Sequence, residues 1–203
     1  MPPETVESSD TPLSPGDKMA RAAIAAAKDI TNLDPGPLAE LRRTSQTLGA
    51  PAFWRLAARY PDTIGRESGT DRWMAILRMY ALLTPTGNPQ NRYSLHAQNR
   101  PLGAVLCDGG NPDWTGPSPD ISELRLAQIL NARGETRAVL LERVIRRIAR
   151  TRVASSGVDV TQIAALALRD SATGPAKTVA RAYYNRLDRA ARAAVTTDNG
   201  ANT

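Results

Sequence analysis

Arg143, Arg146, Arg147 and Arg150 recur at three- and four-residue steps within ISELRLAQILNARGETRAVLLERVIRRIARTR, residues 121–152. Guanidinium groups so spaced suit one kind of chemistry. Each planar fork grips two oxygens of a phosphate or a carboxylate at once. At ~100° per residue the four side chains fall within roughly a 100° arc of one helix. Ala138, Leu141, Val144, Ile145 and Ile148 occupy the opposite arc, which is the pattern of a core-facing side. The arginine stripe is expected to carry no acid, because Glu135 and Glu142 fall beside it. Like charges on one ridge repel one another, and water, an acidic partner or a polyanion must relieve them.

Catalytic chemistry has thinner support. The chain has one histidine, His96, and one cysteine, Cys107, so a protein-only zinc site lacks ligands. Cys107 lies in an apolar run and reads as a small buried hydrophobe, and His96 reads as a surface side chain. Asp108, Asp113 and Asp120 in DGGNPDWTGPSPD invite a metal-dependent nuclease. Their spacing does not match the alternating oxygen ligands of a calcium loop, and turn-forming or helix-capping roles fit them better. No glycine-rich phosphate loop with a lysine precedes a helix. No Ser/His/Asp or Cys/His arrangement has local support. The residues favour a binder without catalytic activity or cofactor.

The elements that position these residues read as helices throughout, since no useful period-two run appears. KMARAAIAAAKDI at 18–30 is alanine-rich, with a thin stripe of Met19, Ala23, Ala26 or Ala27, and Ile30. PLAELRRTSQT at 37–47 starts on a proline, buries Leu38 and Leu41, and points Arg42 and Arg43 outward. PAFWRLAARY at 51–60 shares Phe53, Leu56, Ala57 and Tyr60 on one face. TDRWMAILRMYALLT at 70–84 has Thr70 as its expected cap and Trp73, Ile76, Leu77, Tyr80 and Leu83 as its core face. Arg78 lies among apolar neighbours there and demands an acidic partner, carboxylate or phosphate. Residues 85–100 read as a long mobile loop, in which Arg92, Tyr93 and Arg100 are placed to grip a strand. PLGAVLC at 101–107 is a short buried helix. The 121–152 stretch breaks into two helices near Gly134. Asp159 caps VDVTQIAALALR, and a last helix runs from Pro175 to about Val195.

Length and charge agree with that plan. The chain has 203 residues, 41% of them hydrophobic, enough for one substantial domain or two small ones. The glycine- and proline-rich stretch at 109–120 is the clearest boundary. The expected organisation is all-α: a disordered acidic tail at 1–16, one helical bundle at 17–108, a linker at 109–120, a second bundle at 121–195 and a frayed tail at 196–203. The net charge of +6 is uneven: residues 1–40 carry seven acids against three bases, while the rest carries 23 bases against 13 acids. Of the 26 bases 23 are arginine; a GC-rich genome accounts for such a bias as readily as phosphate binding does. No run reaches the ~18 apolar residues of a membrane span, and MPPETVESSDTPLSPGD is the reverse of a signal peptide. The cytoplasm is the expected compartment. A basic ridge with no sequence-reading motif suits a nucleic-acid backbone.

Five segments, in order, carry a resemblance to a known family. They are LRRTSQ at 41–46, FWRLAARY at 53–60, RWMAILRMYALL at 72–83 with the polar loop and PLGAVL at 101–106, ISELRLAQILNAR at 121–133, and IRRIAR at 145–150. The series resembles the CasB family, the small subunit of the type I-E CRISPR Cascade complex. The resemblance implies an all-helical, two-bundle, non-catalytic protein. Its implied partners are the other Cascade subunits, the crRNA, a second copy of itself packed head-to-tail, and target DNA, above all the displaced strand of the R-loop. By position it implies nucleic-acid contacts at Arg42, Arg43, Arg125, Arg146 and Arg147. Arg143 and Arg150 join them from the helical wheel, and Arg133 closes the fourth motif. The family's arginine after Leu102-Gly103 is absent, and Arg100 is the nearest substitute. A scaffold whose arginines meet acidic protein partners is the alternative.

Overall fold

The computed structural model describes residues 13–44, 49–169 and 173–200, with side chains through residue 193. The expectations for residues 1–12, 45–47 and 201–203 lie outside the described residues. The described residues form nine α-helices: α1 (Pro15–Thr31), α2 (Pro35–Arg43), α3 (Pro51–Arg59), α4 (Thr70–Leu83), α5 (Leu102–Asp108), α6 (Glu123–Asn131), α7 (Gly134–Thr151), α8 (Val160–Leu168) and α9 (Thr173–Gly200). They include no strand, only an isolated parallel bridge between His96 and Val158. None of these helices is long and apolar enough to cross a membrane.

Local chemistry sets most helix ends. Ser14 caps α1, its Oγ accepting from the Asp17 N–H at 3.2 Å. Ser122 caps α6 and Asp159 caps α8 in the same way; each satisfies a backbone donor that the first turn leaves orphaned. The expected cap of α4 differs. Gly69 holds that position, and Thr70 Oγ1 donates back to the Arg66 carbonyl at 2.9 Å. The break between α6 and α7 falls on Gly134, whose φ of +54° only glycine adopts without strain. The last helix continues past Val195 to Gly200, because no proline or glycine interrupts it earlier.

The apolar stripes meet in a shared interior. Buried residues from α1 through α9 belong to one cluster, with α4 against α7, α1 against α8, and α5 along α9. Residues 109–120 connect the two helical groups in sequence, yet both groups contribute to that cluster. Two buried tyrosines fasten it: Tyr80 Oη donates to the Val160 carbonyl at 2.8 Å and Tyr183 Oη to the Ile121 carbonyl at 2.6 Å. The closest approach is at Gly103. A Cβ there would stand 2.0 Å from the Val179 carbonyl oxygen and 2.7 Å from the Tyr183 nitrogen, both backbone of α9. Gly103→Ala therefore forces α5 off α9 and should cost at least ~1–3 kcal/mol, the range for overpacking, read as a lower urea midpoint.

The segment read as a long mobile loop is anchored. Val158 N–H donates to Leu95 O at 2.8 Å, Ala97 N–H to Val158 O at 3.1 Å, and Asp159 N–H to Arg100 O at 2.7 Å. Its polarity in sequence reflects backbone partners rather than freedom. The side chain of His96 is 20% exposed, with its Nδ1 buried 3.9 Å from Asp159 Oδ1.

Tyrosine burial predicts a pH dependence. Burial, with the hydrogen bond to Asp29 and its charge, pushes the Tyr60 phenol from 10.0 up to about 12. Burial raises Tyr80 and Tyr183 as well. A phenol whose folded pKa lies above its unfolded value stabilises the fold fully below about 10, and that stability drains as pH rises through the folded value. Unfolding free energy should thus fall between pH ~10 and ~12, with tyrosinate absorbance delayed in the folded chain relative to the unfolded one.

Candidate nucleic-acid interface

The arginines fall into three groups by what they touch. The first group serves as internal clamps. Arg42 does not point outward: its Nε donates to the Ala81 carbonyl at 2.8 Å, and a terminal nitrogen donates to Thr84 O. These are the open carbonyls at the end of α4, which a helix cannot satisfy by itself. Burial, then the charge of Arg92, lowers the Arg42 pKa. Arg92 closes α1 in the same manner, donating to Thr31 O at 2.9 Å and Leu33 O at 2.7 Å, so it does not grip a strand. Arg100 forms a two-pronged pair with Asp108, both contacts at 3.0 Å. Arg186 takes the same carboxylate at 2.9 Å while its guanidinium lies over Trp114. Arg100 is thereby committed to a buried carboxylate and is unsuited to replace the family's missing surface arginine.

Three clamps, Arg186 among them, escaped the sequence reading. Arg137 is 4% exposed and donates to Leu130, Ala132, Leu166 and Arg169 carbonyls, tying the ends of α6 and α8. Arg152 joins Leu83 O to the Ser156 carbonyl, and burial lowers its pKa. Arg186 is the third. Each answers at least one carbonyl or carboxylate distant in sequence, which no local spacing announces.

The second group is the acid-paired part of the ridge, and it corrects the expectation of a stripe without acids. Arg146 reaches Glu142 at 2.6 Å, an i,i+4 pair, and Arg78 reaches the same Oε1 at 3.4 Å. The acidic partner that Arg78 demanded is this carboxylate. Arg147 lies on Asp120, its Nε at 3.1 and 3.2 Å and a terminal nitrogen at 2.9 Å. The hydrogen bond to Asp120, then its charge, raises the Arg147 pKa. Asp120 comes from the connection before α6, fixed by its own N–H donating to Cys107 O at 2.8 Å. It could reach the ridge only in three dimensions.

The third group remains available. The guanidiniums of Arg125, Arg133, Arg143 and Arg150 are exposed and meet no acid or acceptor among the described residues. Arg43 is exposed too and touches only its own-turn Ala39 carbonyl at 3.2 Å. Two of the bare cations, Arg125 and Arg143, line one groove with Arg147. The groove holds about 460 Å³ between the start of α6 and the middle of α7, and its other lining residues are Pro119, Asp120, Ile121, Ser122 and Val144. Three cations face one carboxylate there. An anion entering it replaces water on Arg125 and Arg143 and competes with Asp120 for Arg147.

A metal reading finds no ligand set. Among the described residues no three of His, Cys, Asp and Glu converge. Asp108 is held by two arginines, Asp120 by one, and Asp113 accepts no bond from either cluster. Burial, chiefly, raises the Cys107 thiol to about 11, which keeps it a protonated core residue.

Comparison with known families decides the placement of this scaffold. The profile of the CRISPR-associated protein Cse2 matches residues 37–184, from α2 into α9. The chain belongs to the Cse2 family. This is the CasB family whose ordered motifs the sequence resembles. The matched span contains the α6–α7 groove, the acid-paired Arg78, Arg146 and Arg147, and every clamp named above except Arg186. It leaves out α1 and the acidic start of the chain. No curated protein and no solved structure matches the chain.

Proposed function

We propose that the chain is the non-catalytic small subunit of a type I-E CRISPR Cascade in the cytoplasm, holding nucleic acid by its backbone and stabilising the R-loop. Membership of the Cse2 family supports the complex. The observation that carries the nucleic-acid role is the α6–α7 groove, where Arg125 and Arg143 stand unneutralised beside Arg147. Phosphates suit such a groove because they are singly charged, regularly spaced and indifferent to base identity. Opening a duplex against a guide RNA is close to balanced in energy, so a few contacts to the freed strand tip it. The partners on this reading are the other Cascade subunits, the crRNA, a second copy of the chain and target DNA.

Arg42 and Arg100 fall away from the proposed contact set, being committed to the fold. Arg133 and Arg150 lie at the two ends of α7, Arg43 stands apart on α2, and Arg146 and Arg147 take part only by exchanging a carboxylate for a phosphate. The test uses the assembled complex. Cascade reconstituted with an Arg125→Gln/Arg143→Gln subunit should assemble normally but hold target duplex more weakly, with the displaced strand less reactive to permanganate. Loss of assembly with unchanged reactivity per complex would instead favour the scaffold reading, in which these arginines meet acidic protein surfaces.

A further inference from the structure

The α6–α7 groove contains an anion of its own. Asp120 Oδ1 accepts from Nε and a terminal nitrogen of Arg147 at 3.1 and 2.9 Å, and its Oδ2 accepts from the same Nε at 3.2 Å. An arginine fork takes two oxygens of a phosphate in the same way. The carboxylate thus occupies the seat on Arg147 that a phosphate would take. Both residues line the groove together with the bare cations Arg125 and Arg143.

The two partners are unequally held. The backbone of Asp120 is tied to the end of α5: its N–H donates to the Cys107 carbonyl at 2.8 Å, and the following N–H, of Ile121, donates to Leu106 O at 3.2 Å. Gly109 packs close to the side chain, since a Cβ there would stand 3.2 Å from both Cβ and Cγ of Asp120. That limits any retreat of the carboxylate on this side. The Asp120 side chain is 17% exposed, whereas that of Arg147 is 61% exposed on a long, flexible stem. When the pair opens, the arginine moves and the carboxylate stays. An ion pair so open to water is weakly held, so a polyanion can draw Arg147 away, but it does so beside a fixed negative charge.

We propose that Asp120 is a built-in competitor for the phosphates of a bound strand, restraining the groove's affinity by holding Arg147 and by repelling the ligand directly. The inference rests on the nucleic-acid reading of this groove and names its regulation. With the pair closed, two cations serve the strand; with it open, three do. The carboxylate keeps the strand exchangeable.

Anisotropy titrations of the full chain with a labelled oligothymidylate test it. Asp120→Asn keeps the backbone bonds and the side-chain shape while removing the charge. Affinity should rise about fivefold, the effect of one unit charge at ~4 Å in water. The slope of log K against log salt should steepen by ~0.7, one added phosphate contact. In the Arg147→Gln chain the same substitution should leave the slope unaltered, because no cation is released. Unchanged or reduced affinity in Asp120→Asn, or a slope that steepens as much without Arg147, would overturn the assignment. Affinity indifferent to Arg125→Gln/Arg143→Gln would remove the nucleic-acid reading and this inference with it. Affinity sensitive to that pair but indifferent to Asp120→Asn would remove the inference alone.

Discussion

Reversing charge at the groove, Arg125→Glu with Arg143→Glu, should weaken binding of single-stranded DNA by about tenfold per position, since each change removes an attraction and adds a repulsion. The thermal midpoint should barely move. Both side chains are exposed and make no bond that the fold uses, and a glutamate at 125 sits in the first turn of α6, where negative charge is favoured. Fluorescence anisotropy with two unrelated oligonucleotides provides the check, and both should lose affinity equally because phosphate contacts carry no base information. The pair Arg146→Ala/Arg147→Ala is a poorer probe. Removing Arg147 bares Asp120 inside the groove, and removing Arg146 leaves Glu142 still facing Arg78. A loss of binding there would mix fewer cations with newly exposed acids.

Asp108→Asn should produce the largest loss of stability in the molecule, about 3–5 kcal/mol, the range for breaking a buried ion pair from one side. The carboxylate is wholly buried, and Arg100 and Arg186 beside it are 16% and 15% exposed. It also accepts from the Gly110 N–H at 3.0 Å. An amide keeps the shape and one acceptor but leaves two enclosed guanidiniums without a counter-charge, whose desolvation then opposes folding. Urea denaturation of the wild-type and substituted chains measures the loss. At temperatures where the variant remains folded, its affinity for single strands should match the wild type, because Asp108, Arg100 and Arg186 do not line the groove. A magnesium nuclease built on Asp108 would behave differently, losing cleavage of labelled strands.

The helices were legible because they report a local rule. The stripes of α4 and α7 follow the helical period, and their predicted core residues, Trp73, Ile76, Leu77 and Tyr80 or Leu141, Val144, Ile145 and Ile148, are all buried. Gly134 marked its own break, and Arg78 signalled a partner by lying among apolar neighbours. The state of each arginine was not legible, because neutralisation depends on groups far away along the chain. Asp120 reaches Arg147 across 27 residues and Arg42 reaches Thr84 across 42. Carbonyls at helix ends are acceptors at every sequence, so a clamp such as Arg137 leaves no trace in residue type. The Glu142–Arg146 pair was an exception: its i,i+4 spacing was visible, yet a stripe drawn by angle alone set Glu142 aside. Residues 85–100 misled for a related reason, since their anchors are backbone bonds to 158–159.

What survives is a narrower claim than a ridge of four bare cations: that Arg125 and Arg143 lie against successive phosphates in the α6–α7 groove. The most direct measurement is the dependence of single-strand affinity on salt. Each phosphate contact on a single strand contributes ~0.7 to the slope of log K against log salt. The Arg125→Gln/Arg143→Gln chain should show a slope smaller than wild type by about 1.4, the share of two contacts. An identical slope in the two proteins would contradict the account, whatever happened to affinity at any one salt concentration.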